Sequence, residues 1–338
     1  MTGVADIATD SVAVCIVTHD EAADLPACLA AVAGLHHRPL ELVLVDCASR
    51  DGSPEVARRQ APAGVPTRVI ELAENRGFAG GMNAAFAATG ASWLLTLNAD
   101  ARPAPDYVTR LLERASSHPH LRVAAVTGRL LRPATADGRR LLDACGMRLT
   151  PTWRHLDRGS GEPDRGQLAR PEQVFGATGA ASLFRRQALV DVSPAGEYFA
   201  AEFHTFREDA ELCFRLGERG WAILYEPAAR TEHRRRNLPA RRRRMPPDVN
   251  LHSLKNRYLL RAYHQTATNL ALTSVPALWR DATAFAYVLL RERRSLAAYR
   301  WLWAHRREIR ARRRWIQGQR TAPASDLDRW FFRQGIPL

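Results

Sequence analysis

Short apolar runs alternate with helical spacings over residues 11–116, and this alternation constrains the fold more than any other feature. The apolar, β-branched runs lie at 11–19, 40–46, 66–72 and 92–100, which is typical of buried strands. Helices are predicted between them at 23–35, 53–61 and 80–90, and after them at 103–116. This order predicts an α/β domain with a mostly parallel central sheet covered on both faces. Ligands of such sheets bind at the carboxyl ends of the strands.

Beyond residue 122 the alternation loosens. The later part of the chain reads as strands at 122–131 and 172–186, an acidic helix from Phe206, a strand at 221–227, a flexible connector at 233–247 and helices over 251–319. Residues 149–171, rich in Gly, Pro, Arg and Asp, predict a mobile loop. We therefore expect an α/β domain over residues 1–248, with halves at about 10–122 and 123–240. A basic helical extension over 249–338 follows it.

The charge balance points to an anionic partner or to a compositional bias, and both can hold. The 338 residues carry 49 Lys and Arg against 35 Asp and Glu, a formal net charge of +14, and Lys255 is the one lysine. Nucleic acid, a phosphorylated substrate and an anionic lipid surface are the candidate partners. The five cysteines are scattered without a Cys-x-x-Cys pair, which favours buried thiols in a reducing compartment. We see no signal peptide and no apolar run long enough to span a bilayer, so a cytoplasmic protein is expected.

Polar residues follow four of the predicted strands. These stretches are Thr18–Glu21, Asp46–Ser53, Glu74–Gly77 and Asn98–Asp100. Each alone is equally typical of a turn or a helix cap, but parallel strands bring all four to one edge of the sheet. Together they predict a ligand with hydroxyls, phosphates or a metal ion.

The glycine-rich stretch at 74–86 suits close approach of the backbone to a phosphate. It is not a Gly-x-Gly-x-x-Gly fingerprint, and it follows the third strand rather than the first, so a dinucleotide-binding dehydrogenase is disfavoured. Asp100 ends an apolar strand, where an uncompensated charge is costly. It is either a ligand of a hard divalent cation or the N-cap of the next helix.

Three carboxylates lie within four residues of the acidic helix: Glu208, Asp209 and Glu211. Glu211 precedes Arg215 by four residues, the favourable order for an exposed ion pair. The acids either carry chemistry or simply favour a helix N-terminus.

The ordered series VTHDEAADLPACL, VDCASRDGS, ENRGFAGGMNAAF, LNADARPAPDYV, FGATGAASLFRRQAL and FREDAELCFRLGERGW resembles family 2 glycosyltransferases. The resemblance is strongest to the bacterial rhamnosyltransferase-like branch and covers residues 12–233. It implies a GT-A fold, in which an α/β half with a Rossmann-like sheet binds a nucleotide sugar and a second half binds the acceptor. It also implies an inverting transfer that depends on Mg²⁺ or Mn²⁺.

The resemblance implies a role for each matching residue. Thr18 and Glu21 contact the nucleotide, Asp46 holds the base or ribose, and Asn75, Gly77, Gly81 and Asn83 line the ribose and diphosphate side. Asn98 and Asp100 occupy the metal motif, with Asp100 as the ligand, and His233 completes the metal or diphosphate site. Asp209 is the general base, and Glu208 orients it or touches the acceptor. Two departures stand out: Cys47 replaces a usually polar residue near the nucleobase, and 193–206 matches the family pattern loosely, so acceptor specificity stays open.

The implied function is an inverting glycosyltransferase that moves a sugar, rhamnose being the leading candidate, from a dTDP- or UDP-sugar to a glycan or lipid-linked acceptor of envelope polysaccharide. The basic aromatic tail, with Phe285, Val288, Leu289, Leu296, Trp301 and Trp303 among arginines, forms either an interfacial helix or a helical subdomain that packs on the core. The first alternative places the protein peripherally on the inner face of the cell membrane. Rival functions are a sugar-nucleotide nucleotidyltransferase, a basic nucleic-acid-binding protein and a non-catalytic relative; binding to nucleic acid is not expected.

Overall fold

The computed structural model describes residues 10–135, 137–194, 196–235 and 247–338. The first half contains β1 (Val12–Thr18), α1 (Leu25–Ala33), β2 (Leu40–Cys47), α2 (Ser53–Arg59), β3 (Thr67–Leu72), α3 (Gly77–Ala87), β4 (Trp93–Asn98), β5 (Ala101–Pro103) and α4 (Tyr107–Ser116). Every strand and helix predicted here is present. The helix predicted from residue 80 begins three residues earlier, at Gly77.

The middle of the chain mixes short strands with two helices. It contains β6 (Val123–Leu131), β7 (Leu142–Ala144), β8 (Met147–Leu149), β9 (His155–Asp157), β10 (Glu172–Val174), β11 (Ala181–Arg185), α5 (Arg186–Asp191), α6 (Glu208–Glu218) and β12 (Ala222–His233). The loop predicted at 149–171 is wrong in part, because β8 and β9 pair there as an antiparallel hairpin. The hairpin is anchored by Trp153, which is 2% exposed and donates from its indole N–H to Thr273 at 2.9 Å.

The C-terminal part is helical, as predicted. It contains α7 (Pro247–His264), α8 (Ala267–Arg291), α9 (Ala297–Ala304), α10 (Arg306–Gly318), α11 (Ala324–Asp328) and a closing strand β13 (Ile336–Pro337). Most of the predicted connector at 233–247 lies outside the described residues. In the part of the chain that the structure describes, no helix combines the length and apolar character needed to cross a bilayer.

One large mixed sheet runs through the molecule in the order β13-β10-β12-β6-β11-β4-β1-β2-β3. The block β4-β1-β2-β3 is parallel, so its strands end at the same edge. The register sets Thr18 beside Asp46 and Val17 beside Asn98. β11 is antiparallel to both of its neighbours, β4 and β6, and joins this block to the second half of the sheet.

Two apolar layers cover the sheet. One includes Leu25, Leu29 and Leu111, from α1 and α4. The other includes Phe86 of α3 and Phe214 of α6, and it continues into the C-terminal helices through Leu259, Leu260 and Tyr263 of α7. The C-terminal helices therefore share a core with the sheet, and β13 pairs with β10 at the sheet edge.

Candidate active site

A cleft of about 500 Å³ lies at the carboxyl ends of β1, β2 and β4. Nine of the predicted site residues line it: Thr18, Glu21, Asn75, Gly77, Asn98, Asp100, Glu208, Asp209 and His233. Those nine come from five separate stretches of the chain. The parallel register explains why the first-half residues meet, because their strands end together.

Three predicted residues, Asp46, Gly81 and Asn83, are not among those that line this cleft. Asn83 donates to the carbonyl of Phe199 at 2.7 Å and accepts from its N–H at 2.8 Å, so it secures the segment before α6. A Cβ at Gly81 would lie 2.6 Å from Val17, so this glycine lets α3 pack closely on β1.

Gly77 has a positive φ of 64°, and a Cβ there would lie 2.3 Å from the carbonyl oxygen of His204. A side chain at Gly77 is therefore excluded. The first turn of α3 thus lies directly against the loop that leads to α6. Gly77 and His204 both line the cleft, so the contact lies between two of its walls.

Two unsatisfied polar atoms belong to residues that the sequence predicts to contact a nucleotide. The Thr18 hydroxyl and one Asp46 carboxylate oxygen are buried without a hydrogen-bond partner among the residues that the structure describes. The other Asp46 oxygen accepts from the Ser49 N–H at 2.9 Å. Buried polar groups normally find partners, so these two atoms suit a bound ligand. Cys47, the family departure, is fully buried, and burial raises the pKa of its thiol to about 11.

Asp100 and His233 face each other across the turn after β4. The Asp100 carboxylate lies 3.0 Å from His233 Nε2, and the other ring nitrogen lies 2.7 Å from Asp143. The Asn98 amide lies 3.4 Å from the same Nε2. Burial opposes the charge of His233, but the two carboxylates outweigh it and raise its pKa to about 9.

These residues fit a hard divalent ion provided that His233 releases the Nε2 proton that Asp100 stabilises. An octahedral ion with ligands at about 2.1 Å holds neighbouring ligand atoms about 3 Å apart, which matches the Asp100–His233 separation. Asp143 lies behind the imidazole, 2.7 Å from Nδ1, and would orient the ring if His233 bound an ion. Within the described ranges no three His, Cys, Asp or Glu side chains are gathered as a complete metal group. An ion bound here would therefore take further ligands from substrate phosphates.

Asp143 was missed by the sequence reasoning. Its signal was a carboxylate inside the apolar run LLDACG, where it is fully buried on β7. The Nε of Arg132 and a guanidinium N–H of Arg235 each lie 3.3 Å from one of its oxygens, so its charge is compensated. That run marks Asp143 as unusual but does not identify its partner His233, because the two residues are 90 positions apart.

The first turn of α6 carries Glu208 and Asp209 into the cleft. One Asp209 oxygen accepts from the Gly179 N–H at 3.0 Å, which directs the carboxylate towards the turn that precedes β11. Burial raises the pKa of Asp209 to about 6, against the opposing hydrogen bond from Gly179. Burial and the Asp209 charge raise the pKa of Glu208 well above its usual range. This is a carboxyl pair suited to proton transfer near neutral pH.

Glu211 is not an exposed partner of Arg215, and that prediction is wrong. Both side chains are buried, 0% and 2% exposed, and their charged atoms lie 2.8 Å apart. Arg215 also donates to the carbonyl oxygens of Val192 and Tyr198. Helical spacing identified the pair correctly, but the core formed with the C-terminal helices covers it; His264 of α7 lies 3.7 Å from Glu211.

Comparison with known proteins gives a match to a family model and a relative in sequence. The family model described as Glycosyl transferase family 2 matches residues 13–192. The N-acetylglucosaminyl-diphospho-decaprenol L-rhamnosyltransferase of Mycobacterium tuberculosis, in strains CDC 1551 / Oshkosh and ATCC 25618 / H37Rv, is 26% identical over 253 residues. That alignment covers 69% of this chain and 79% of the relative.

Three solved structures share the fold. The mannosyltransferase PcManGT of Pyrobaculum calidifontis, solved with GDP-Man and Mn²⁺, gives a TM-score of 0.52 at 19% identity, with 89% of this chain and 78% of that chain covered. GalNAc-T7, solved with UDP, GalNAc and Mn²⁺, gives 0.57 at 16% identity, with 75% and 48% covered. TarS of S. aureus, residues 1–349, gives 0.52 at 12% identity, with 96% and 90% covered. The predicted GT-A fold is confirmed, and the nucleotidyltransferase and nucleic-acid-binding alternatives are not favoured.

Proposed function

The chain belongs to glycosyl transferase family 2, and from this premise we propose that it moves rhamnose from a dTDP- or UDP-sugar to a diphosphate-linked lipid acceptor. The observation that carries a catalytic role is the joint lining of one cleft by Asp209 and by the Asp100–His233 pair. The choice of sugar and acceptor rests on the similarity to the mycobacterial rhamnosyltransferase.

Asp209 is the proposed base. The acceptor hydroxyl attacks the anomeric carbon and forms the new C–O bond. The bond between that carbon and the diphosphate oxygen breaks, the nucleoside diphosphate leaves with the electron pair, and the hydroxyl proton passes to Asp209. With a pKa of about 6, Asp209 is ionised at neutral pH and can accept this proton. The Gly179 N–H holds one carboxylate oxygen at 3.0 Å and the Ala210 N–H holds the other at 2.8 Å, and a remaining lone pair of the carboxylate takes the proton.

Asp100 and His233 are the residues that would hold Mg²⁺ or Mn²⁺, with Asn98 beside them. A bound ion supplies Lewis-acid stabilisation of the departing diphosphate. Asp143 fixes the ring of His233 so that Nε2 faces Asp100. Thr18 and Asp46 supply the unsatisfied polar atoms on the proposed nucleotide side.

Contact with a lipid surface is the remaining part of the proposal. The most exposed large side chains of α8 are apolar: Val275 (77%), Trp279 (74%), Leu290 (72%) and Leu278 (63%). From residue 267 to 290 the exposed positions of this helix carry no charge, and exposed arginines begin at Arg291. An uncharged stripe followed by arginines is the pattern of a helix that lies in an anionic interface.

The direct test combines donor binding with transfer. Thermal unfolding is followed with dTDP-rhamnose and other nucleotide sugars, each with and without Mn²⁺, and metal-dependent stabilisation identifies the donor. Transfer is then assayed on a short-chain prenyl diphosphate-linked N-acetylglucosamine. If dTDP- and UDP-sugars neither stabilise the protein nor serve as donors, the proposal fails.

A further inference from the structure

A second chamber adjoins the cleft, and we propose that it binds the diphosphate of the acceptor. It has a volume of about 520 Å³ and lies between the β8–β9 hairpin and the helices α7 and α8. The inference rests on the proposed function, since it assigns a site to the diphosphate-linked acceptor.

Arginine dominates the lining of this chamber. Five arginines line it, namely Arg148, Arg154, Arg207, Arg235 and Arg280, against the two carboxylates of Asp157 and Glu162. Arg235 lies 2.6 Å from Asp157 and is thereby neutralised. Among the other described lining residues, the formal charges of four arginines exceed that of the Glu162 carboxylate, and a multivalent anion would balance the difference.

Burial and the positive charge around the chamber lower the pKa of Arg207. Burial lowers its pKa to about 9, and Arg257, Arg154 and Arg280 add to the effect by repulsion. Its Nε is buried without a hydrogen-bond partner among the described residues. Its backbone has a positive φ of 73°, a strained conformation for a residue other than glycine. Strain and unbalanced charge at one residue are typical of a functional site.

The chamber is continuous with the catalytic cleft. His155, Asp157, Phe206, Arg207 and Arg235 line both spaces. Arg207 precedes the proposed base Asp209 by two residues, and the charges of Arg207 and Asp209 interact. An acceptor whose diphosphate lies in the chamber therefore extends its sugar hydroxyl towards Asp209.

The opposite wall leads to the apolar face of α8. Arg280 lines the chamber, and its neighbours Leu278 and Trp279 are exposed on the outer face of the same helix. A lipid chain that leaves the diphosphate here has an uncharged surface to follow. The donor diphosphate has a separate place, because Asp100, His233 and Gly77 line the cleft and not this chamber.

The first arm of the test measures transfer kinetics. The variant Arg154→Gln/Arg280→Gln is compared with Arg59→Gln/Arg139→Gln, which removes two exposed arginines outside the chamber and away from α8. We expect the chamber variant to raise KM for a short-chain diphosphate-linked acceptor about tenfold or more, with KM for the donor unchanged. An alkyl N-acetylglucosaminide, which lacks the diphosphate, should be used equally by both. Arg154→Lys/Arg280→Lys should recover part of the loss.

The second arm does not depend on transfer. Inorganic pyrophosphate is titrated calorimetrically without metal, in the presence of a saturating nucleoside diphosphate. Wild-type protein should bind it, and the chamber variant about tenfold more weakly. The inference is overturned if the nucleoside diphosphate abolishes binding, if the two variants bind alike, or if only donor KM changes.

Transfer kinetics and pyrophosphate titration together distinguish failure of the proposed function from failure of the diphosphate site. If no acceptor is glycosylated, the proposed function fails, and the pyrophosphate titration still decides whether the chamber binds diphosphate. If the double variant does not fold, each single substitution goes through both measurements.

Discussion

The proposed donor side and the proposed acceptor side of the cleft are positioned in different ways. On the proposed donor side, β1, β2 and β4 run parallel, and residues at or just after the end of each strand, such as His19, Cys47 and Asp100, reach the cleft. On the acceptor side, α6 is positioned by partners far away in sequence. A motif that follows a strand can thus be read locally, whereas a base on a helix depends on everything that packs around that helix.

Asn256 illustrates the acceptor side. It is fully buried on α7, and its amide donates to the carbonyls of Phe203, Thr205 and Phe206 at 2.7–2.8 Å. Those carbonyls belong to the loop that enters α6, where Phe206 and Arg207 both have positive φ. A residue of the C-terminal helices therefore maintains the strained loop that presents Glu208 and Asp209.

The largest expected effect is at the base. Asp209→Asn should lower kcat by about 10³-fold, because the amide cannot accept the proton, while binding of the donor is retained. Steady-state transfer and donor-dependent thermal stabilisation measure the two. Asp326→Asn, an exposed acid on α11, is the control. Transfer by Asp209→Asn at the wild-type rate would remove Asp209 from the mechanism.

Substitutions at Asp100 and Asp143 test the metal site on the proposed donor side. Asp100→Ala should lower the metal-dependent affinity for donor by about 100-fold, and Asp143→Asn by about tenfold, since the second acts only through His233. Mn²⁺ titrations in the presence of nucleoside diphosphate measure both effects. Equal losses would show that Asp143 is a ligand itself, and no loss at Asp100 would refute the metal site.

Asn256→Asp should impair catalysis on the proposed acceptor side and leave donor binding intact. A carboxylate facing three carbonyls repels them and removes two N–H donors, so we expect kcat to fall about tenfold, with donor KM unchanged. Gln265→Glu makes the same amide-to-carboxylate change just beyond α7 and should be near neutral. If donor affinity falls as much as kcat, the loop supports both sides and the contrast between them is lost.

The pH dependence of the transfer rate tests whether Asp209 is the base. Because burial raises the pKa of Asp209 to about 6, the base is ionised above that pH and protonated below it. Transfer should therefore fall about tenfold between pH 7 and pH 5, whereas an unperturbed aspartate would keep its rate over this range. A rate that is flat down to pH 5 would contradict the assignment.

The smallest expected effect concerns the exposed face of α8. Leu278→Ser/Trp279→Ser should reduce sedimentation with anionic liposomes several-fold, because each side chain loses apolar contact with lipid. Val190→Ser, at an equally exposed apolar residue on α5, is the matched control. Liposome binding that is absent in wild-type protein, or unchanged in the double variant, would favour a solvated helical subdomain.

The sequence predicted the C-terminal helices but not which of their apolar residues are buried. Of the six apolar residues singled out there, Val288 and Leu296 pack around Leu254, and Trp301 covers Lys255. Phe285, Leu289 and Trp303 are exposed. The exposed stripe also begins earlier than expected, at Leu270, because its direction depends on which face of α8 the rest of the molecule covers.

The sequence by itself determined the parallel block, the polar strand ends, the family and the acidic helix, because periodicity and local motifs encode them within a few residues. Only the tertiary structure decided that Glu211 and Arg215 are buried, that Asn83 and Gly81 serve packing, and that Asp143 stands behind His233. It also brought five distant arginines to the wall of one chamber. These outcomes depend on contacts between segments 50 to 120 residues apart, and no local spacing records which segments will meet.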